Sequence, residues 1–262
     1  MSSKEHDAWH RKRVETLRTE DGWLTLVGLD FLTDGTHTVG AAPDAAFSYA
    51  NCAQPIVGTL EVSGDRVRFT PTTGAPSELV ADDRGAPSVI RSGSVSFTLV
   101  RRNGRLALRV RDNKSPVRTA FAGIPCFPYD GAFVIEARCL PAEPGATVAI
   151  TNVRGFTEAQ PVAATLAFEL GGQPRTLVAT EGSEGRLFVV FADLTNGAQT
   201  YGGGRFLDIS APVDGRTTID FNRAVNPPCS FTAFATCPLP PAANRLPVAV
   251  TVGEKTPNSP AH

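Results

Sequence analysis

Residues 95–112 read VSFTLVRRNGRLALRVRD, and a β-hairpin is the one local structure that satisfies every part of that string. Asn103-Gly104 is a dipeptide that takes two consecutive left-handed backbone conformations, as a two-residue hairpin turn requires. After it, Leu106, Leu108 and Val110 alternate with Ala107, Arg109 and Arg111, so one face is apolar and the other polar. That is the period of a half-buried antiparallel strand. The same grammar recurs along the chain. Strands are predicted at 23–29, 36–40, 55–62, 67–70, 88–91, 133–140, 147–154, 162–170, 174–180 and 186–193. Asp34-Gly35, Ser63-Gly64-Asp65-Arg66, Ser92-Gly93-Ser94, Gly171-Gly172 and the stretch 181–185 supply the turns. With 24 glycines and 21 prolines as punctuation, the expected fold is all-β, an antiparallel β-sandwich or barrel. A single domain spanning 1–262 is expected. Residues 1–20 hold its one helix, over 4–19, with a thin stripe of Trp9, Val14 and Leu17 and a stop at Gly22, so it should lie on the periphery.

Charge and composition exclude several function classes. A formal net charge of -1 over 262 residues gives no reason to expect nucleic acid or an anionic membrane as partner. No run reaches the roughly 20 apolar residues of a membrane span, and the charged start MSSKEHDAWHRKRVETLRTEDG has no secretory core. The expected location is the cytoplasm, with a frayed tail at 256–262. Five scattered cysteines, Cys52, Cys126, Cys139, Cys229 and Cys237, read as free thiols rather than a disulfide framework. There is no P-loop, no dinucleotide fingerprint, no nucleophile elbow and no HExxH. Of the four histidines, His6, His10 and His262 lie near the ends and His37 in a turn. No cofactor and no metal are expected, and the oligomeric state stays open.

The functional residues are expected in 201–255. A triple glycine opens this region, and a proline-rich excursion with two cysteines leads to a last apolar strand ending on Glu254 and Lys255. Phe221, Phe231, Phe234, Leu239 and Leu246 anchor it too firmly for a linker. Arg205, Arg223 and Arg245, with Tyr201, Asp208, Asn222, Asn226, Asn244 and Lys255, form the candidate binding set, because arginine forks hold carboxylates bidentately. Asp220 and Glu254 are the candidate acid or base, and Cys229 or Cys237 the candidate nucleophile. If 220–223 is extended, Asp220 and Asn222 share a face. An ion-pair lattice that only holds the proline loop explains the same residues. Arg109 and Asp112, with Arg118 beyond them, form a second polar cluster at a strand end, expected to converge on the same mouth.

Asp220-Phe221-Asn222-Arg223-Ala224-Val225-Asn226-Pro227-Pro228-Cys229, then Ala235-Thr236-Cys237-Pro238-Leu239-Pro240-Pro241 and Asn244-Arg245-Leu246-Pro247, closely resembles the bacterial DUF1684 family. Residues 22–29, 109–112, 201–208 and 253–255 resemble it too. The resemblance implies no reaction, since the family is named for lacking one. Val225 and Asp30 stand where aromatic residues are common in the family, which implies a different ligand if they line a pocket. The expected function is a small-molecule enzyme or ligand-binding protein acting on an anionic, carboxylate-bearing substrate. The alternative is a non-catalytic binding or scaffold module in which the same residues are structural.

Overall fold

The computed structural model describes residues 2–257; positions 258–262, the end of the tail expected to fray and the site of His262, lie outside the described residues. The chain forms two compact units, 17–121 and 2–16 together with 122–257. Both are built from strands. The helix α1 (Ser3–Leu17) begins with a capping box: Ser2 Oγ accepts from Glu5 N–H, and Glu5 Oε2 accepts from Ser2 N–H at 2.7 Å. Among the described residues, no helix is long and apolar enough to cross a membrane.

In the 17–121 unit the strands are β1 (Leu26–Phe31), β2 (Gly35–Gly40), β3 (Phe47–Ser48), β4 (Gly58–Ser63), β5 (Arg66–Pro71), β6 (Ser77–Glu78), β7 (Val89–Ser92), β8 (Val95–Arg102) and β9 (Arg105–Asp112). They form one sheet in the order β1-β9-β8-β7 and another in the order β3-β2-β4-β5-β6. The predicted hairpin is there, with Asn103 at φ 52° and Gly104 at φ 71° turning Arg102 onto Arg105. Leu99, Leu108 and Val110 from the first sheet meet Leu60, Val67 and Phe69 from the second in one apolar core, which is sandwich packing. The predicted strand at 23–29 starts late. Thr25 bonds the Gly22 carbonyl through both its N–H and its hydroxyl, at 3.2 and 2.7 Å, and this draws 23–25 into a 3-10 turn.

In the other unit, β10 (Val134–Pro141), β13 (Ala164–Leu170), β14 (Gln173–Glu181), β15 (Leu187–Phe191), β16 (Arg205–Ile209) and β17 (Arg216–Asp220) make a six-stranded antiparallel sheet. Its order is β16-β15-β14-β13-β10-β17. The two edge strands are consecutive in the chain, joined by 210–215, so the sheet curls back on itself into a half-barrel. A separate ribbon pairs β11 (Thr147–Thr151) with β12 (Thr157–Pro161). The sequence hid β12 because TEAQP is polar on both faces and ends in proline. Leu166, Leu177, Val189, Phe191, Leu207, Ile219 and Phe221 fill the concave side.

Two expectations are corrected here. Residues 220–223 do not stay extended: Asp220 accepts from Asn222 N–H and caps a 3-10 turn, Phe221–Arg223, so Asp220 and Asn222 do not share a strand face. Nor is 246–252 a strand. Leu246, Val250 and Val252 are buried as expected; the backbone of 244–248 bonds Ala192 and Leu194 through one isolated parallel bridge, and side chains receive that of 250–252, as follows.

Candidate functional site

Arg205, the first residue of β16, is fully buried, with its guanidinium over the Phe191 ring at 5.3 Å. One terminal nitrogen donates to Asp193 Oδ2 at 2.8 Å and to the Val250 carbonyl at 2.9 Å; the other donates to the carbonyls of Val252 and Glu254. Asp193 answers from the same side. Its Oδ1 accepts from the N–H and hydroxyl of Thr195 and from Val250 N–H. Arg205 and Asp193 therefore do for 250–254 what a paired strand would do.

The carboxamides repeat this device. Asn244 accepts from Val178 N–H at 2.7 Å and donates to the carbonyls of Val178 and Val190, clipping β14 to β15 where their ladder is short. Asn222 exchanges two hydrogen bonds with the backbone of Asp130, at 2.9 and 3.0 Å. Asn226 donates to the Lys255 carbonyl at 2.7 Å. Gly253 completes the fit at φ 80°, since a Cβ there would lie 2.8 Å from the Ala224 carbonyl oxygen.

Glu254 is wholly buried, with Oε2 accepting from Asn226 N–H at 2.6 Å and Oε1 from Arg13 Nε at 3.3 Å. Burial holds its carboxyl above the ordinary glutamate range, opposed by Arg13 and the Asn226 N–H. Arg13 belongs to a stripe on α1 that the sequence expectations do not contain. His6 donates to the Asn222 carbonyl at 3.0 Å, His10 Nε2 lies 3.1 Å from Cys126 Sγ, and Arg13 reaches both Glu254 and the Asn226 carbonyl. Positions 6, 10 and 13 follow helical spacing. The stripe is polar, so a search for apolar periodicity misses it; the signal is the spacing itself. Burial pushes the Cys126 thiol up to about 12, with the Glu254 carboxylate adding to the rise. Burial also pulls the His10 imidazole down. Asp193 and Cys126 carry no sequence signal at all.

Three expected residues, Asp208, Asp220 and Arg223, gather elsewhere in this unit, beside Arg186, which the sequence expectations do not contain. Arg223 lies over the Trp9 ring at 5.6 Å, with Nε 4.0 Å from Asp220 Oδ2, and its side chain is 41% exposed. With Arg186, Asp208 and Asp220 it lines a groove of about 230 Å³ floored by Val134, Leu207 and Thr218. Arg186 Nε donates to Asp208 Oδ1 at 2.8 Å.

The two motif cysteines sit apart from that groove. Cys229 N–H donates to Cys237 Sγ at 3.1 Å, and the Tyr201 ring packs against the two cysteines. The Cys237 thiol, and after it the Tyr201 hydroxyl, hold Cys229 below the usual thiol range against the effect of burial. Cys237 and Tyr201 are both pushed up. Arg245 is exposed at the end of the 242–244 turn, and Lys255 sets its ammonium 4.5 Å from the Phe127 ring centroid. Arg109 and Asp112 belong to the 17–121 unit. Arg109 faces the Trp23 ring, and burial lowers it to about 10. Asp112 accepts from Asn51, Ser94 and the Lys114 N–H.

Among solved structures, the chain is similar to an uncharacterized protein of Haloarcula marismortui determined by solution NMR. Sequence identity is 35% over 53% of this chain and 79% of that one, with a TM-score of 0.45. No curated protein matches. The model of the family described as "Protein of unknown function (DUF1684)" matches residues 119–255. That span is just over half of the sequence and contains β10 to β17 and every clip described above from Asp130 onward, and on it the chain belongs to the DUF1684 family.

Proposed function

We propose that the protein binds a small carboxylate-bearing ligand in the groove of Arg186, Asp208, Asp220 and Arg223, without catalysing its conversion there. The observation that carries this reading is the position of Arg223. Of the three arginines in the candidate set, Arg205 is sealed in the interior, Arg245 projects at a turn, and Arg223 opens onto a concave surface with an aromatic ring behind it. A guanidinium backed by an indole presents its fork to a planar carboxylate. The volume, about 230 Å³, lies below the usual pocket range of about 300–1,000 Å³, which restricts the buried part of the ligand to a few carbons. Binding is favoured over catalysis because the candidate acid Glu254 is at 0% exposure and Asp220 caps a turn. A cytoplasmic setting suits five unpaired thiols, and the near-neutral charge suits a small molecule better than nucleic acid.

Titration with acetate, succinate and citrate, followed by thermal melting and by amide chemical shifts, tests the proposal. At a hundred times its dissociation constant, a ligand adds about 2.7 kcal/mol to stability. Arg223→Ala should abolish that gain, and Arg223→Lys should weaken it because lysine keeps the charge but loses the fork. Equal stabilisation of wild type and Arg223→Ala by every carboxylate would remove the groove from consideration.

A further inference from the structure

Cys229 and Cys237 are eight residues apart in sequence and are brought together by the 3-10 turn Pro228–Ser230 and the irregular stretch after it. The Cys229 N–H points at Cys237 Sγ at 3.1 Å, and the Tyr201 side chain packs against both cysteines, where its hydroxyl favours the charged form of Cys229. Ala235, Phe206 and the Tyr201 ring wall the pair. The other cysteines lack this arrangement: Cys52 and Cys139 have no thiol partner, and Cys126 faces an imidazole. Simple apolar filling does not call for a tyrosine hydroxyl and a second thiol directed at one sulfur. A cysteine whose backbone N–H touches the sulfur of another sets the two side chains side by side, as a disulfide requires.

We infer that Cys229 and Cys237 form a two-cysteine redox centre that reduces small hydroperoxides, with Cys229 as the attacking sulfur and Cys237 as the resolving one. The assignment follows from the tyrosine packed on the pair: a hydroxyl donating to Cys229 stabilises negative charge on that sulfur. Cys229 sulfur attacks the O–O bond of the hydroperoxide, so that an S–O bond forms and the O–O bond breaks. The alcohol leaves with the thiol proton, and the sulfur, oxidised by two electrons, is a sulfenic acid. Cys237 sulfur then attacks Cys229, the S–S bond forms, and the hydroxyl departs as water with the Cys237 proton. An external dithiol returns the two electrons by exchange. Burial guides the choice of reactants: with each cysteine 5% exposed, the oxidant proposed is a small hydroperoxide and the reductant a small dithiol, rather than bulky partners. This centre does not depend on the groove of Arg223.

The test uses the full chain with no substitution. Cleavage after Arg223 and Arg245 leaves both cysteines on one tryptic peptide, 224–245. Folded protein is treated with one equivalent of hydrogen peroxide, blocked with N-ethylmaleimide and digested. That peptide should be two hydrogens lighter and unblocked, while Cys52, Cys126 and Cys139 carry the label; dithiothreitol should restore it. In Cys237→Ser, dimedone should trap a sulfenic acid at Cys229, whereas Cys229→Ser should give none at Cys237. Tyr201→Phe should slow the oxidation and shift its pH profile upward without preventing the disulfide. Full labelling of 224–245 after peroxide, or sulfenic acid at Cys237 instead of Cys229, would overturn the assignment.

Discussion

The two units have different interiors. The 17–121 sandwich is held by an apolar core in which Leu60, Leu108 and Val110 reach zero exposure, and its backbone groups are matched strand to strand. The 122–257 unit also has an apolar core, but it buries Arg205, Asn222 and Glu254 at zero exposure, with Asn226 and Asn244 close behind. The difference tracks the backbone. Among the described residues the second unit has no further strand beyond β17, and its last stretch must still bury Leu246, Val250 and Val252. Carbonyls and N–H groups that enter a core without a ladder need other partners. Arg205, Asp193, Asn222, Asn226 and Asn244 are those partners. Where a sheet ends and the core continues, side chains take over the hydrogen bonding, and the sequence there resembles an active site.

The largest effect is expected at Arg205. Arg205→Met would leave the Asp193 carboxylate buried without its cation and strip the carbonyls of Val250 and Val252, at a cost of about 3–5 kcal/mol. Urea unfolding measures it. A loss below about 1 kcal/mol, the net worth of an ordinary hydrogen bond, would break the claim that this residue replaces a strand. Asn244→Ala comes next, at about 2 kcal/mol for a buried N–H and two carbonyls left unmet. Hydrogen exchange sharpens that prediction, since protection should fall at Val178 N–H while the β8–β9 amides of the other unit stay unchanged.

Glu254 separates the units by pH. Its folded value lies above the ordinary 4.5 because of burial. Below that ordinary range both folded and unfolded chains hold the proton. As pH rises above it the unfolded chain releases the proton first, so this group's contribution to stability falls until the folded value is passed. Glu254→Gln keeps an acceptor for the Asn226 N–H and removes the titration. Its stability relative to wild type should therefore be lowest at and below pH 4.5 and should improve as pH rises toward neutrality. The gain should be roughly 1.4 kcal/mol for every pH unit that separates the folded value from the unfolded one. A wild-type advantage that grows with pH instead would mean that the Arg13 ion pair outweighs burial.

How much of this was legible follows the same division. Period-two alternation and turn dipeptides located most of the sandwich and the meander, because those strands are half-buried and regular. They failed where a side chain overrode the backbone, as at Thr25, and where both faces are polar, as at 157–161. In the site region the residues were legible but their duties were not. Spacing marks Arg205, Asn222 and Asn244 as unusual; whether a guanidinium meets a ligand or a carbonyl depends on chain folded far away in sequence. The α1 stripe of His6, His10 and Arg13 was invisible for the opposite reason, since its partners at 126, 222, 226 and 254 are supplied only by the fold.

The smallest effect is expected at Arg223, and it is the sharpest contrast with Arg205. Both are motif arginines of the same unit, and each has an aspartate and an aromatic ring within reach. Arg205 holds Asp193 at 2.8 Å with both side chains at zero exposure, while Arg223 lies 4.0 Å from Asp220 with its side chain 41% exposed. Water screens the second pair, so its net contribution is about 0–1 kcal/mol. Asp220 also keeps its hydrogen bonds from Asn222 when the guanidinium is removed. Arg223→Ala should therefore lower stability by no more than about 1 kcal/mol, with the melt still cooperative. The matching change at Arg205 should cost several times as much. Equal losses at the two positions would mean that Arg223 is a staple as well, and the groove would lose the cation on which carboxylate binding depends.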